Sequence, residues 1–403
     1  MTKKLHLRII TLLSALFLLN AWVYAVNSEK IKFPVGFGSI SPSIELKTIY
    51  DDNIFSDDDG SGVKKSWIGI VRPGIAWSVQ KGLNRYNIKY SFESGTFFSS
   101  HDDDYLDHRL TSGAHFDFGI RNQLDLDFGF LKRHERRGTG LNDNSDSTFI
   151  EEPIEYRDLI AKAKYTYGAS TAKGRIILDA SYLDRKYDNF EQRYEQYDRS
   201  ESLLGATFLY RFRPNSALFF QTNHKMVRYK NDPVSSDKLD NNETSAFVGI
   251  TWASTVKTTG IAKIGYEKKD FRSSEYKTHT FVPWSLGLTW SPRSYSTFEL
   301  TGSRSADESR GTGIFIQSTE LLLGWNHSWS ERISSGVSLK FANDDYKGSS
   351  RKEDTRTFDM GLDYLLTRTI VLGAAYRNEN RDSNETDKDY KRNVFMMSAQ
   401  MGF

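Results

Sequence analysis

Apolar residues recur at every second position in about eighteen successive stretches. The connections between those stretches are long and short in turn, and beyond the first thirty residues no run stays apolar long enough for a membrane-spanning helix. Together these observations predict an all-β chain closed into a transmembrane antiparallel up-and-down β-barrel. The count is about eighteen strands, with sixteen as the alternative, and both termini fall on the periplasmic side. A helical reading fails because side chains spaced by two wrap around a helix and form no stripe.

Composition agrees with that class. With 26 Phe, 21 Tyr and 8 Trp against 8 Pro, the chain favours strands and tight turns. Charged residues make up 26% of it, so the membrane signal has to lie in alternation and not in mean hydropathy. There is no Cys and therefore no disulfide framework.

The N-terminus reads as a secretory signal. Lys3, Lys4 and Arg8 precede an apolar core from Ile9 to Leu19, and Val23-Tyr24-Ala25 offers a cleavage site, giving a signal peptide over 1–25. A periplasmic lead follows over 26–40, and the barrel is expected over 41–403. Formal net charge is +2, and removing the three basic residues of the signal leaves 2 − 3 = −1, which excludes nucleic acid as a partner.

The strands follow in order. Ile44, Leu46, Thr48 and Tyr50 begin the series and run into an acidic loop. Ile68, Ile70, Ile75 and Trp77 return, with a bulge or break expected at Pro73-Gly74 because Pro removes a ladder donor. Tyr86 to Phe92, Leu110 to Phe118, Leu124 to Phe130, Ala161 to Tyr167, Ile176 to Tyr182, Leu204 to Phe212 and Leu218 to Thr222 repeat the pattern. So do Val248 to Trp252, Ala262 to Tyr266, Trp284 to Trp290, Phe298-Leu300, Leu321 to Trp325, Val337 to Phe341, Phe358 to Leu366 and Leu372 to Tyr376. The closing strand carries Phe395, Met397, Ala399, Met401 and Phe403 on one face and must pair with the first, since lipid tolerates no open sheet edge.

Two sets of positions follow from the alternation. Trp77, Trp252, Trp290 and Trp325 sit on the apolar face near short turns, where a periplasmic aromatic girdle would form. The intervening residues would line the lumen: Lys89, Arg109, His115, Asp127, Lys162, Lys164, Arg175, Asp179, Arg211, Lys263, Lys340, Asp359, Asp363 and Arg377. Both signs are interspersed, as in a solvated wall that could conduct a polar solute.

Catalytic signatures are absent. His134-Glu135-Arg136-Arg137-Gly138 lacks the second His of a zinc-protease helix, and no Gly-x-Ser-x-Gly elbow occurs between a strand and a helix. The Asp-rich stretches at 57–59 and 102–104 lack calcium-loop spacing. No enzyme activity, cofactor or metal is expected.

Three short motifs carry a family resemblance: Tyr50-Asp51-Asp52-Asn53-Ile54-Phe55, Arg72-Pro73-Gly74, and the stretch from His134 to Gly138. On these the chain resembles the outer-membrane β-barrel porin family that includes the outer-membrane proteins of exopolysaccharide biosynthesis operons. The resemblance implies a bacterial outer-membrane channel exporting a polysaccharide through a hydrated lumen. It also implies a periplasmic polysaccharide-export protein and an inner-membrane copolymerase as partners. An uptake porin, general or substrate-specific, is one alternative, and a surface structural or adhesion barrel with a closed lumen is another. Outer-membrane lipid, lipopolysaccharide and the barrel assembly machinery are expected partners of any such barrel. Phe403 resembles the terminal aromatic read by that machinery.

Overall fold

The computed structural model describes residues 32–58, 62–143, 150–233, 236–255 and 257–402. The expected signal segment and Phe403 lie outside these residues. Twenty strands form one sheet. They are β1 (Phe33–Val35), β2 (Gly38–Asp51), β3 (Ser66–Lys81), β4 (Asn84–Phe97), β5 (Tyr105–Asp117), β6 (Asn122–Glu135), β7 (Ile154–Tyr167), β8 (Gly174–Tyr187), β9 (Arg199–Arg213) and β10 (Ser216–Tyr229). The second half comprises β11 (Asn241–Thr255), β12 (Thr258–Phe271), β13 (His279–Phe281), β14 (Trp284–Arg293), β15 (Ser296–Glu308), β16 (Phe315–Ser328), β17 (Ile333–Lys347), β18 (Lys352–Leu365), β19 (Ile370–Ser383) and β20 (Tyr390–Gly402).

Each strand from β2 to β20 pairs antiparallel with its neighbours, and β2 also pairs with β20 from Ser43↔Gly402 to Asp51↔Val394, so the sheet closes. β13 and β14 are two parts of one barrel strand. Both pair with β12 in a single register, and the interruption falls at Val282-Pro283, where the Gly265 N–H donates to the Pro283 carbonyl at 2.9 Å. The barrel therefore has eighteen strands. β1 is a short flap on β2, and β2 itself starts at Gly38, three residues ahead of the barrel start read from sequence.

One face of every strand is apolar and open to the surroundings, as at Ile264, Phe220 and Leu178. So large an apolar belt is intelligible only against lipid. Trp290, Phe298 and Trp325 stack face to face near the short turns, with centroids 5.2 and 6.2 Å apart. Cross-strand register puts Trp77 and Trp252 on the same outward face. Tyr50 and Trp67, 5.1 Å apart, mark the outer margin.

One expectation for β3 needs correction. Ile68 and Ile70 do not share a face with Ile75 and Trp77. They point inward and are buried with Ile49, Ile54, Phe97 and Val394, while Trp67 and Val71 take the lipid side. Apolar residues occupy both faces here, which hides the parity. Of the bulge or break expected at Pro73-Gly74 it is the break that occurs, since the ladder to β4 skips Arg72 and Pro73 without changing register.

Candidate transport site in the barrel lumen

The inward face is built by register alone. Arg109 pairs with Ser91, His115 with Asp125, Asp127 with Lys162, Lys164 with Asp179, and Asp359 with Arg377, so these side chains share one wall. Lys89, Arg175, Arg211, Lys263, Lys340 and Asp363 occupy the same parity. Local partners hold many of them. His115 meets Asp125 at 2.6 Å, the Arg377 Nε–H donates to Asp359 at 2.7 Å, and the Lys263 ammonium donates to Gln221 at 3.1 Å while lying 4.3 Å from the Phe247 ring centre. The wall is not uniformly polar. Ile177, Leu209 and Phe219 form a buried inward patch with Ile261 against it. Doubled apolar residues such as Ile176-Ile177 and Phe219-Phe220 were the sequence signal for that patch.

The outer end of the lumen is narrowed from one side. The connection between β6 and β7 folds inside, where Leu141 and Ile150 pack with Ile154, Tyr156, Tyr187 and Tyr194. From it Asp143 reaches the wall formed by β18 and β19. Arg381 donates to its two carboxylate oxygens at 3.0 and 3.1 Å, Arg351 pairs with it, and the Lys388 ammonium donates to its carbonyl. Burial alone would lower the pKa of Arg351, but Asp143, Tyr346 and Glu353 raise it above its ordinary value. Lys388 is shifted down by burial despite Asp143. The loop is thus held across the lumen by charge-assisted bonds between residues more than two hundred positions apart.

Two of the three sequence motifs meet at its base. Asp51 and Asn53 are sealed from solvent. Arg392 donates from Nε to both Asp51 oxygens at 3.0 Å, and Asn393 donates its backbone N–H to Asp52 at 2.6 Å, which locks the seam between first and last strands. Arg136 lies 3.8 Å from Asp51, Arg137 stacks 4.2 Å from the Phe55 ring and donates to Asp103 at 2.7 Å. Burial and the neighbouring Arg392 push the Arg136 pKa down to about 10, against the pull of Asp51. Gly138 adopts φ +74°, and a Cβ there would overlap the Phe55 carbonyl oxygen. The stretches 50–55 and 134–138 are therefore two halves of one anchor.

A second charged cluster lines the opposite side of the outer end. Lys269, fully buried, pairs with Glu308 at 2.7 Å and with Glu243, while Lys225 lies 3.3 to 3.6 Å from Glu201, Glu308 and Glu243. Among the described residues no group of His, Cys, Asp and Glu has metal-binding geometry.

A closed barrel with a lipid-facing apolar belt, short turns at one end and an inward-folded loop at the other defines an outer-membrane porin-type protein. The chain belongs to the family described as Putative beta-barrel porin 2, which it matches over residues 34–403. Its place is the bacterial outer membrane, and the family is one of channels, not enzymes. No curated protein matches the sequence. Among solved structures the fold is similar to three Pseudomonas aeruginosa proteins. OpdK, solved with vanillate, is 11% identical with a TM-score of 0.52 over 90% of this chain and 99% of that one. OccK2 (OpdF) is 9% identical with a TM-score of 0.52 over 90% and 98%. OccK9 (OpdG) is 12% identical with a TM-score of 0.50 over 92% and 100%. At these identities the likeness is one of fold.

Proposed function

We propose that this barrel is a channel for uptake of small polar solutes, narrowed at its outer end by the β6–β7 loop. The observation that carries the reading is Asp143, gripped by Arg351 and Arg381 from across the lumen. An extended polymer would need this tie broken throughout its passage, whereas a small solute needs only space beside it. The mixed-sign wall with Lys89, Lys162, Lys164 and Asp127 wets the path below, and the patch around Phe219 favours solutes with an apolar face. OpdK, of similar fold, was solved with the small aromatic acid vanillate, which fits the same size class.

Export of a polysaccharide, which the sequence motifs suggested, has less support. Two of those motifs, 50–55 and 134–138, form the anchor beneath the β6–β7 loop. Single-channel conductance and proteoliposome swelling test the proposal. Wild type should admit monosaccharides and amino acids faster than oligosaccharides of about ten units. Asp143→Asn should raise conductance and relax that size limit, because removing one partner of a buried pair costs about 3–5 kcal/mol locally. Equal permeation by monomer and decamer in wild type would sink it.

A further inference from the structure

The outward surface of β5 to β9 differs from the rest of the belt. Most strands present large side chains there, but Ser112, Ala114, Ala161, Ala163, Ala180 and Ser202 fall together by register. They floor an apolar groove of about 840 Å³ walled by larger neighbours such as Phe128, Tyr182 and Leu204. One outward position above it Asp184 stands opposite Leu159, paired with Lys230 at 2.7 Å, and one position higher a cationic row begins. There Lys132 pairs directly with Arg157, and Arg157 with Lys186, so three cations stand side by side on adjacent strands. Like charges directly opposed in a sheet repel and call for a counter-ion. Local carboxylates supply part of it: Glu155 lies 2.8 Å from Lys132, Asp188 lies 3.2 Å from Arg157, and Lys186 lines a pocket with Glu191, Glu195 and Asp198. These pairs are half open to solvent, and such pairs are weak and exchangeable.

We infer that this face is a binding site for an outer-leaflet lipid with phosphate groups on its head: the phosphates seat on Lys132, Arg157 and Lys186, and the acyl chains fill the groove beneath. The spacing suits that occupant. Four residues separate Lys132 from Phe128, roughly 13 Å of strand, within the roughly 15 Å of one leaflet's hydrocarbon. A second copy of the chain would fill the groove but would bring no phosphate to exchange with the weak surface pairs of the cation row. Charge complementarity therefore favours the lipid.

Native mass spectrometry of the full barrel in detergent tests this, with diphosphorylated lipid A and zwitterionic phosphatidylethanolamine as probes. Wild type should retain lipid A roughly tenfold or more over phosphatidylethanolamine, since basic residues near an anionic surface each add to the attraction. The combined variant Lys132→Gln, Arg157→Gln, Lys186→Gln should lose the preference, and Ala163→Phe should lower retention of both lipids. Heat-modifiable electrophoretic mobility verifies that each variant is folded, and surface charges and a lipid-facing Ala leave the barrel wall intact. An undiminished lipid A preference in the triple variant overturns the proposal, as does unchanged retention in Ala163→Phe. Recovery of lipid-free dimers or trimers that Ala163→Phe dissociates would assign the groove to a second copy instead.

Discussion

The outer end of the lumen and its middle wall hold charges in opposite ways. At the outer end Asp51, Lys269 and Arg351 are at most 1% exposed, and each is paired across strands or loops. Midway down the wall Lys340 and Glu320 form a 2.8 Å pair whose side chains are 38% and 41% exposed. A buried charge is tolerable only with its partners in place, so the outer end is specified atom by atom. An exposed pair in water contributes little, so the wall can vary. The barrel thus combines a tightly paired outer end with a loosely paired wall.

Breaking the outer end should have the largest effect. Asp51→Ala leaves the Arg392 guanidinium buried beside Arg136 and opens the bonds that close the seam between β2 and β20. A loss of about 3–5 kcal/mol is expected, seen as a lower urea midpoint for barrel unfolding in detergent. A midpoint shift no larger than that of a wall variant would erase the contrast between the two regions. Gly138→Val comes next. Valine at φ +74° costs about 1–3 kcal/mol in backbone strain, besides displacing the Phe55 carbonyl. The strain falls on the loop and not the barrel, so conductance should rise while the unfolding midpoint moves less than in Asp51→Ala. Wild-type conductance would show that the anchor does not set the constriction.

Most of the barrel was legible in the sequence because its two solvents differ. Lipid outside and water inside impose a period of two, and the long and short connections set orientation. Where both faces are apolar, as at Trp67-Ile68 and Ile70-Val71, that signal vanishes and Ile68 and Ile70 were read on the wrong side. The constriction was not legible for a different reason. Asp143 meets partners 208 and 238 residues away, and nothing local to Asp143 distinguishes it from the other acids of a polar loop. The motifs 50–55 and 134–138 stood out as unusual strings, but only closure of the barrel brings Asp51 to Arg136 and Phe55 to Gly138. The inward Phe219 and Phe247 escaped notice because the glycines that make room for their rings, Gly249 and Gly265, lie on other strands.

The smallest expected effect sharpens the comparison most. Lys340→Gln removes one cation from the wall and leaves Glu320 in contact with water. Because Glu320 is not stranded in a dry site, stability should change by less than about 1 kcal/mol. Selectivity can still respond, since a charge on a narrow wetted wall acts on passing ions even when it contributes nothing to folding. Reversal potentials under a salt gradient should shift toward cation preference, and high salt should screen that shift. A stability loss as large as that of Asp51→Ala would mean that the middle of the wall is as tightly specified as the constriction. An unchanged reversal potential would mean that permeating ions do not pass Lys340, and would place the conducting path on the opposite side of the lumen.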